Sequence, residues 1–420
     1  MTTKQRATDP ARPRRGSRSQ ADEAAAAAAA RVAAAKDNDS ANPDENEPPF
    51  QAALIPAPSP VRFIDPDGKR VTPVTDDYTE PPTEQVLEAY RRMVIGKRLN
   101  VQATALTMQG RMAVYPSSRG QEACQVGAML ALKETDWFFP TYRDSVAIIT
   151  RGVDPVECFT SPRGDAHVGY DPMKHRTNSP TTPLATQLLH ATGLAYAEAR
   201  RGRDTVAMAF IGDGATSEGD FHEALNFAAV FNAPVVFVIQ NNGWAISVPL
   251  HKQTKAPSLA YKGIGYGVVA EQVDGNDAMA VLAVINKGVD YARAGRGPVL
   301  VELHTYRMES HTNADDSTRY RDSAVVEEWR LNDPIIRLEA YLVDQGLIDE
   351  AKIAEIAAEA EAFASDLRDR MNAEAVIDPM SLFTNVFAVP TPQLQEQADM
   401  LRAEIEADQE ATASQGGGAH

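Results

Sequence analysis

Two short words stand about thirty residues apart near the middle of the chain: Gly212-Asp213-Gly214 and Asn241-Asn242-Gly243. Together they offer a carboxylate and two carboxamides. Carboxylate and amide oxygens are hard ligands that suit magnesium, which usually keeps part of its shell for a phosphate. Glycines let backbone N–H groups approach that phosphate, and a helix N-terminus following them favours negative charge. Two rival phosphate motifs are excluded. A dinucleotide fingerprint needs a third glycine where this chain has Ser217, and the Gly-Lys-Ser/Thr of a P-loop is absent here. The competing reading is a pair of ordinary turns, one with a capping Asp and one at Asn-Gly.

What favours the ligand site is where the two words must lie. Residues 205–211 and 234–239 are apolar runs, β-branched and aromatic enough to be buried strands. Between them Phe221, Leu225, Ala228 and Ala229 recur at helical spacing. A strand–turn–helix–strand unit has parallel strands, and ligands bind beyond their carboxyl ends. Asp213 and Asn242 should therefore meet at one edge of a sheet. The pattern continues with an amphipathic helix over 278–293 and a buried strand over 298–304. The fold class expected is α/β, a doubly wound, mostly parallel sheet flanked by helices.

Gly212-Asp213-Gly214 followed by Asn241-Asn242 resembles the thiamine diphosphate motif. The flanking words GDGATSEGDFHEALNFAAVF and NNGWAIS resemble the alpha subunit of heterotetrameric 2-oxoacid dehydrogenases, the decarboxylating first component of large complexes. The resemblance runs from about residue 84 to about residue 402. It implies a thiamine diphosphate-binding fold, with magnesium held by Asp213, Asn242 and the carbonyl of Trp244, and with Gly212, Gly214 and Ala215 beside the cofactor. Tyr142 and Arg143 resemble a pair that binds the diphosphate, and Arg143 offers a bidentate fork for it. Gly120, Gln121 and Glu122 look like scaffold near the cofactor. The word TYRMESHTNADDSTRYR implies that His311 reaches the diphosphate and the reacting centre, with Arg307 structural or phosphate-facing.

The loop Thr181-Thr182-Pro183-Leu184-Ala185-Thr186-Gln187 is rich in neutral oxygens, which suit a monovalent cation better than magnesium. It resembles a loop of branched-chain members, which implies potassium at Thr181, Pro183, Thr186 and Gln187 and cofactor contacts from Thr182 and Leu184. A helix cap by Thr182 with Pro183 in the first turn is the alternative. One departure stands out: some members carry a diphosphate-binding Arg directly before the Asn pair, and this chain has Gln240.

The resemblance implies oxidative decarboxylation of a branched-chain 2-oxoacid of the 2-oxoisovalerate type, in an α2β2 assembly. The beta subunit would supply the activating glutamate, and the acyl group would pass to a lipoyl-bearing acyltransferase component. Pyruvate or acetoin as substrate, or an inert scaffolding paralogue, are the alternatives. Relatives switched off by serine phosphorylation carry serines on the His311 loop; here Thr312 follows His311 and a later position is Asp322, so no such switch is expected.

The whole chain bounds these readings. Its 420 residues carry a net charge of −17, which argues against nucleic acid. No apolar run is long enough to span a membrane. Cys124 and Cys158 give no disulfide framework and fit a reducing cytoplasm. The expected organisation is a disordered tail over 1–50, an extended Pro-rich lead-in over 51–82, the α/β domain over 83–375, a partner-docking segment over 376–410 with Leu382, Phe383, Val386 and Phe387, and a flexible tail over 411–420.

Overall fold

The structure is a computed structural model that describes residues 54–72, 77–165, 168–373, 378–384 and 386–416. Residues 1–50, expected to form a disordered tail, lie outside the described residues. The chain divides into two compact units between Arg370 and Met371.

The first unit opens with α1 (Thr83–Met108), which starts directly after Pro81-Pro82, and α2 (Glu122–Leu130). Then come β1 (Trp137–Phe139), α3 (Ser145–Thr150), α4 (Thr186–Arg200), β2 (Ala207–Gly212), α5 (Gly219–Val230) and β3 (Val235–Asn241). A small hairpin follows, β4 (Trp244–Ala245) with β5 (Val248–Pro249), then β6 (Val269–Asp274), α6 (Ala278–Arg293) and β7 (Val299–His304). Helices α7 (Ser323–Leu331), α8 (Pro334–Asp344) and α9 (Glu350–Asn372) complete the series.

Five strands form one parallel sheet in the order β1-β2-β3-β7-β6. Parallel strands are covered on both faces, so they read as continuous apolar runs, and Val235 to Ile239 are all fully buried. Alternate residues divide between the faces. Ala207, Ala209 and Ile211 of β2 join a core with Leu188 and Ala191 of α4 and Phe221 and Leu225 of α5. Phe210 points the other way, its ring edge-on to Phe138. Helices α2 and α6 pack against each other, and α6 also packs on β3, β6 and β7. The chain steps outward from β1 to β3, then crosses to the far edge for β6 and returns with β7. The winding therefore reverses between β3 and β7, which opens a crevice at the carboxyl ends there.

The described part of the lead-in packs on this unit and doubles back on itself, with Ile64 bridging Arg70. Val61 bridges Val273 on the edge strand β6, and the N–H groups of Phe63 and Ile64 donate to the buried carboxylate of Asp277. In the second unit Leu382, Val386 and Phe387 are exposed. Helix α10 (Pro392–Gly416) runs past residue 410, where a flexible tail is expected from sequence. Ala411, Ala413 and Gln415 are good helix formers.

Among the described residues no helix is long and apolar enough to cross a membrane.

Candidate active site

The strand register sets the site. Gly212 lies beside Gln240, and Asn241 beside His304, so the ends of β2, β3 and β7 are level. Just beyond them lies a cavity of about 640 Å³. Asp213 and Asn242 both line it, as the βαβ reading predicts, together with Gly212, Gly214, Ala215 and Trp244. Gly214 leaves no room for a side chain, since a Cβ there would fall 2.5 Å from that of Ala245. Gly243, at φ +83°, makes the turn that carries the chain from β3 into the hairpin.

The Asp213 side of the cavity is anionic and starved of compensation. The residue is 1 % exposed, and its Oδ2 accepts one side-chain hydrogen bond, from Gln253 Nε2 at 3.2 Å. Burial pushes its carboxyl up to about 6, against the pull of that bond, of the backbone N–H groups of Asp213 and Asn242 and, more weakly, of Arg307. A divalent cation would supply the missing charge. Asn242 Oδ1 accepts the Trp244 N–H at 3.2 Å and keeps a further lone pair. Among the described residues no group of three or more His, Cys, Asp or Glu is placed to hold a metal. A cation here would rely on one carboxylate, neutral oxygens and a phosphate, the set read from the sequence.

The lining also holds two cations. Arg143 and Arg307 are 6 % and 1 % exposed, and their hydrogen bonds run to neutral acceptors. Arg143 donates to the carbonyls of Ser117 (2.7 Å) and His311 (3.0 Å). Arg307 donates to the Ile246 carbonyl at 2.7 Å and the Tyr320 hydroxyl at 3.0 Å. Burial, then the neighbouring Arg143, pulls the Arg307 pKa down. Both guanidiniums also aim at His311 Nδ1, at 3.0 and 3.3 Å. Burial and these two charges hold the imidazole down to about 4. The hydrogen-bond pattern assigns Nδ1 as acceptor, so the neutral ring carries its proton on Nε2. Asp315 accepts the backbone N–H of His311 at 2.8 Å and fixes the loop. Tyr142 is half-buried, its ring edge-on to that of His311.

The 181–187 loop forms another wall. Thr181, Thr182, Leu184 and Gln187 line the cavity. Pro183 is exposed, and neither it nor Thr186 lines it; the Thr186 hydroxyl donates to Asp220 at 3.0 Å, which leaves its lone pairs for another partner. Gln187 Nε2 donates to the Phe210 carbonyl at 2.7 Å, while its buried Oε1 has no partner. An orphaned buried oxygen on the cavity lining fits a cation.

Sequence reasoning missed the side chains behind the wall. Asp144 and Gln125 are fully buried, Gln253 reaches Asp213, and Gln240 faces Asp144 and two glutamines. A signal existed in α2 and its cap, where Gln121 and Gln125 stand four residues apart on an otherwise small and apolar face.

Comparison with known proteins gives matching results. Residues 90–378 match the family described as dehydrogenase E1 component. The chain is 45% identical over 348 residues, 82% of this chain and 94% of the relative, to the 3-methyl-2-oxobutanoate dehydrogenase subunit alpha of Mycobacterium tuberculosis (strain H37Rv). It is 41% identical over 304 residues, 72% of this chain and 81% of the relative, to the pyruvate dehydrogenase E1 component subunit alpha of Staphylococcus aureus (strain N315).

Proposed function

Because this chain belongs to the dehydrogenase E1 component family, we propose that it is the alpha subunit of a branched-chain 2-oxoacid dehydrogenase acting on 2-oxoisovalerate, the 3-methyl-2-oxobutanoate of the mycobacterial relative's name. Membership implies dependence on thiamine diphosphate. The observation that carries the reading is one cavity, at the carboxyl ends of β2 and β3, lined by a buried carboxylate with no ion-pair partner in hydrogen-bond reach and by two buried guanidiniums. Asp213, Asn242 Oδ1 and the Trp244 carbonyl would hold magnesium. Tyr142, Arg143 and His311 would hold the diphosphate, with the Gly212–Ala215 backbone against it and Thr182 and Leu184 at its flank. Thr181, Pro183, Thr186 and Gln187 would hold potassium.

Bound thiamine diphosphate supplies the nucleophilic carbon and electron sink that decarboxylation of a 2-oxoacid needs. This chain's residues orient that group and set protonation around it. Arg307 ties the hairpin tip, through the Ile246 carbonyl, to the loop that carries His311. His311, neutral with its proton on Nε2, can donate from that atom to a developing negative charge. The beta subunit would close the cavity, with Leu382, Val386 and Phe387 in the docking segment, and a lipoyl-bearing component would accept the acyl group. The loop at 181–187 and the mycobacterial relative favour a branched substrate. The test is turnover of 2-oxoisovalerate against pyruvate by this chain assembled with its beta partner. A clear preference for pyruvate overturns the substrate and favours the kinship with the staphylococcal relative.

A further inference from the structure

The metal role proposed for Asn242 needs the oxygen of its carboxamide, and the oxygen and nitrogen ends of an amide have the same shape. What distinguishes them is a polar run that passes from Asn242 through two further lining residues, Gln121 and Gln240, to Asp144 behind them. Asn242 Nδ2 donates to Gln121 Oε1 at 3.1 Å, Gln121 Nε2 donates to Gln240 Oε1 at 2.9 Å, and Gln240 Nε2 donates to Asp144 Oδ1 at 2.7 Å. All four side chains are more than nine-tenths buried, so a lost partner in the run is costly.

The run ends on an oxygen that can only accept. Asp144 Oδ1 also receives Gln125 Nε2 at 3.0 Å, and Oδ2 receives both the N–H and the hydroxyl of Thr141 at 2.7 Å. Burial pushes the Asp144 carboxyl up, but Oδ1 faces two amide N–H donors and is an acceptor in either protonation state. Gln240 must then turn its nitrogen to Asp144 and its oxygen away. Gln121 must turn its nitrogen to that oxygen. Asn242 must give its nitrogen to Gln121, which leaves Oδ1 on the other side. Gln125 agrees with this polarity: its oxygen accepts the Ala147 N–H, so its nitrogen faces Gln240 Oε1. The Trp244 N–H is the remaining restraint on Asn242 Oδ1.

We propose that Asp144 and Gln240 are positioning residues for the metal: an amide relay anchored on Asp144 sets which end of Asn242 faces the cation. It also joins the metal side of the cavity to the Thr141–Arg143 turn. This rests on the magnesium reading above.

The test measures magnesium affinity by calorimetry at saturating thiamine diphosphate, on the full chain assembled with its beta partner, with thermal unfolding of the metal-free protein alongside. Gln240→Met keeps the volume and cuts the relay; magnesium should bind about tenfold more weakly, at the low end of effects from partners behind a metal ligand. Gln121→Met cuts the next link and should behave alike. Asn242→Asp supplies oxygen at either end and distinguishes orientation from packing. With the relay intact, the introduced carboxylate meets the fixed oxygen of Gln121, and both affinity and thermal stability should fall. In Gln240→Met, where Gln121 is free to turn, the same change should recover affinity. Unchanged affinity in Gln240→Met, or the same effect of Asn242→Asp in both backgrounds, overturns the relay. Wild-type protein without magnesium-dependent cofactor binding overturns the proposed function instead.

Discussion

Asp213→Asn should make the metal-free protein more stable while removing its metal binding. The two shapes are nearly identical, and the Gln253 hydrogen bond can persist to an amide oxygen. What changes is a charge buried at 1 % exposure. The carboxyl's ordinary 3.8 rises to about 6 in the fold, chiefly through burial. At about 1.4 kcal/mol per pH unit, the ionised group costs the folded state about 3 kcal/mol at neutral pH. The sign follows from proton counting. Between pH 3.8 and about 6 the folded protein binds more protons than the unfolded chain, so wild-type stability falls as pH rises through that window. The variant lacks this loss. Its advantage should be absent below the window and complete above it, as a rise in melting temperature on the order of several degrees. The assay is thermal unfolding of both proteins in chelator across that pH range, with magnesium titration at neutral pH. Equal stability above pH 6, or an advantage independent of pH, would refute the account of Asp213 as an uncompensated carboxylate.

His311 should stay neutral across pH 5 to 8, because burial and two guanidiniums hold it down to about 4; its stabilising neutrality is lost as pH falls from 6.5 through that value. Arg143→Met should raise its pKa, seen by NMR of ring-labelled histidine, and an unshifted titration contradicts the assignment. Potassium should raise the melting temperature above that in equal sodium, and Gln187→Met should abolish the difference by removing the orphaned oxygen; a stabilisation that survives the change argues for a site elsewhere. Gly120→Ala should destabilise the fold by about 1–3 kcal/mol or more in urea unfolding, since Gly120 sits at φ +94° and a Cβ would fall 2.3 Å from the Tyr306 carbonyl. An unchanged midpoint would mean that the loop carrying Arg307 and His311 yields freely.

The elements were legible where local pattern and tertiary role agree. Strands β2, β3 and β7 are buried on both faces, so their sequences are mainly apolar, with Glu302 in β7 and Gln240-Asn241 at the end of β3 as exceptions, and α6 spans 278–293 as expected, buried all round over its first eight residues and periodic beyond them. The level ends of β2 and β3 followed from parallel pairing alone, which brought Asp213 and Asn242 together. The sheet order was not legible: nothing local in β6 or β7 says that β7 enters beside β3 while β6 takes the edge. Side chains supplied from afar were equally hidden. Arg143 and Arg307 meet at His311 only because the loops after β1 and β7 converge, and Gln253 reaches Asp213 across the hairpin.

Gln240 shows how a single position changes meaning with its surroundings. As a residue beside the Asn pair, it reads as a missing cation and a weaker phosphate contact. In the fold, two buried arginines already line the cavity, and position 240 has another requirement. It must donate to Asp144 and accept from Gln121 and Gln125 at once. An amide does both, whereas a guanidinium offers donors only. An arginine whose side chain stayed in this run would leave the nitrogens of Gln121 and Gln125 without the acceptor they have here. The residue that looks like a lost phosphate ligand is the one whose chemistry keeps the carboxamide of Asn242 pointed the right way.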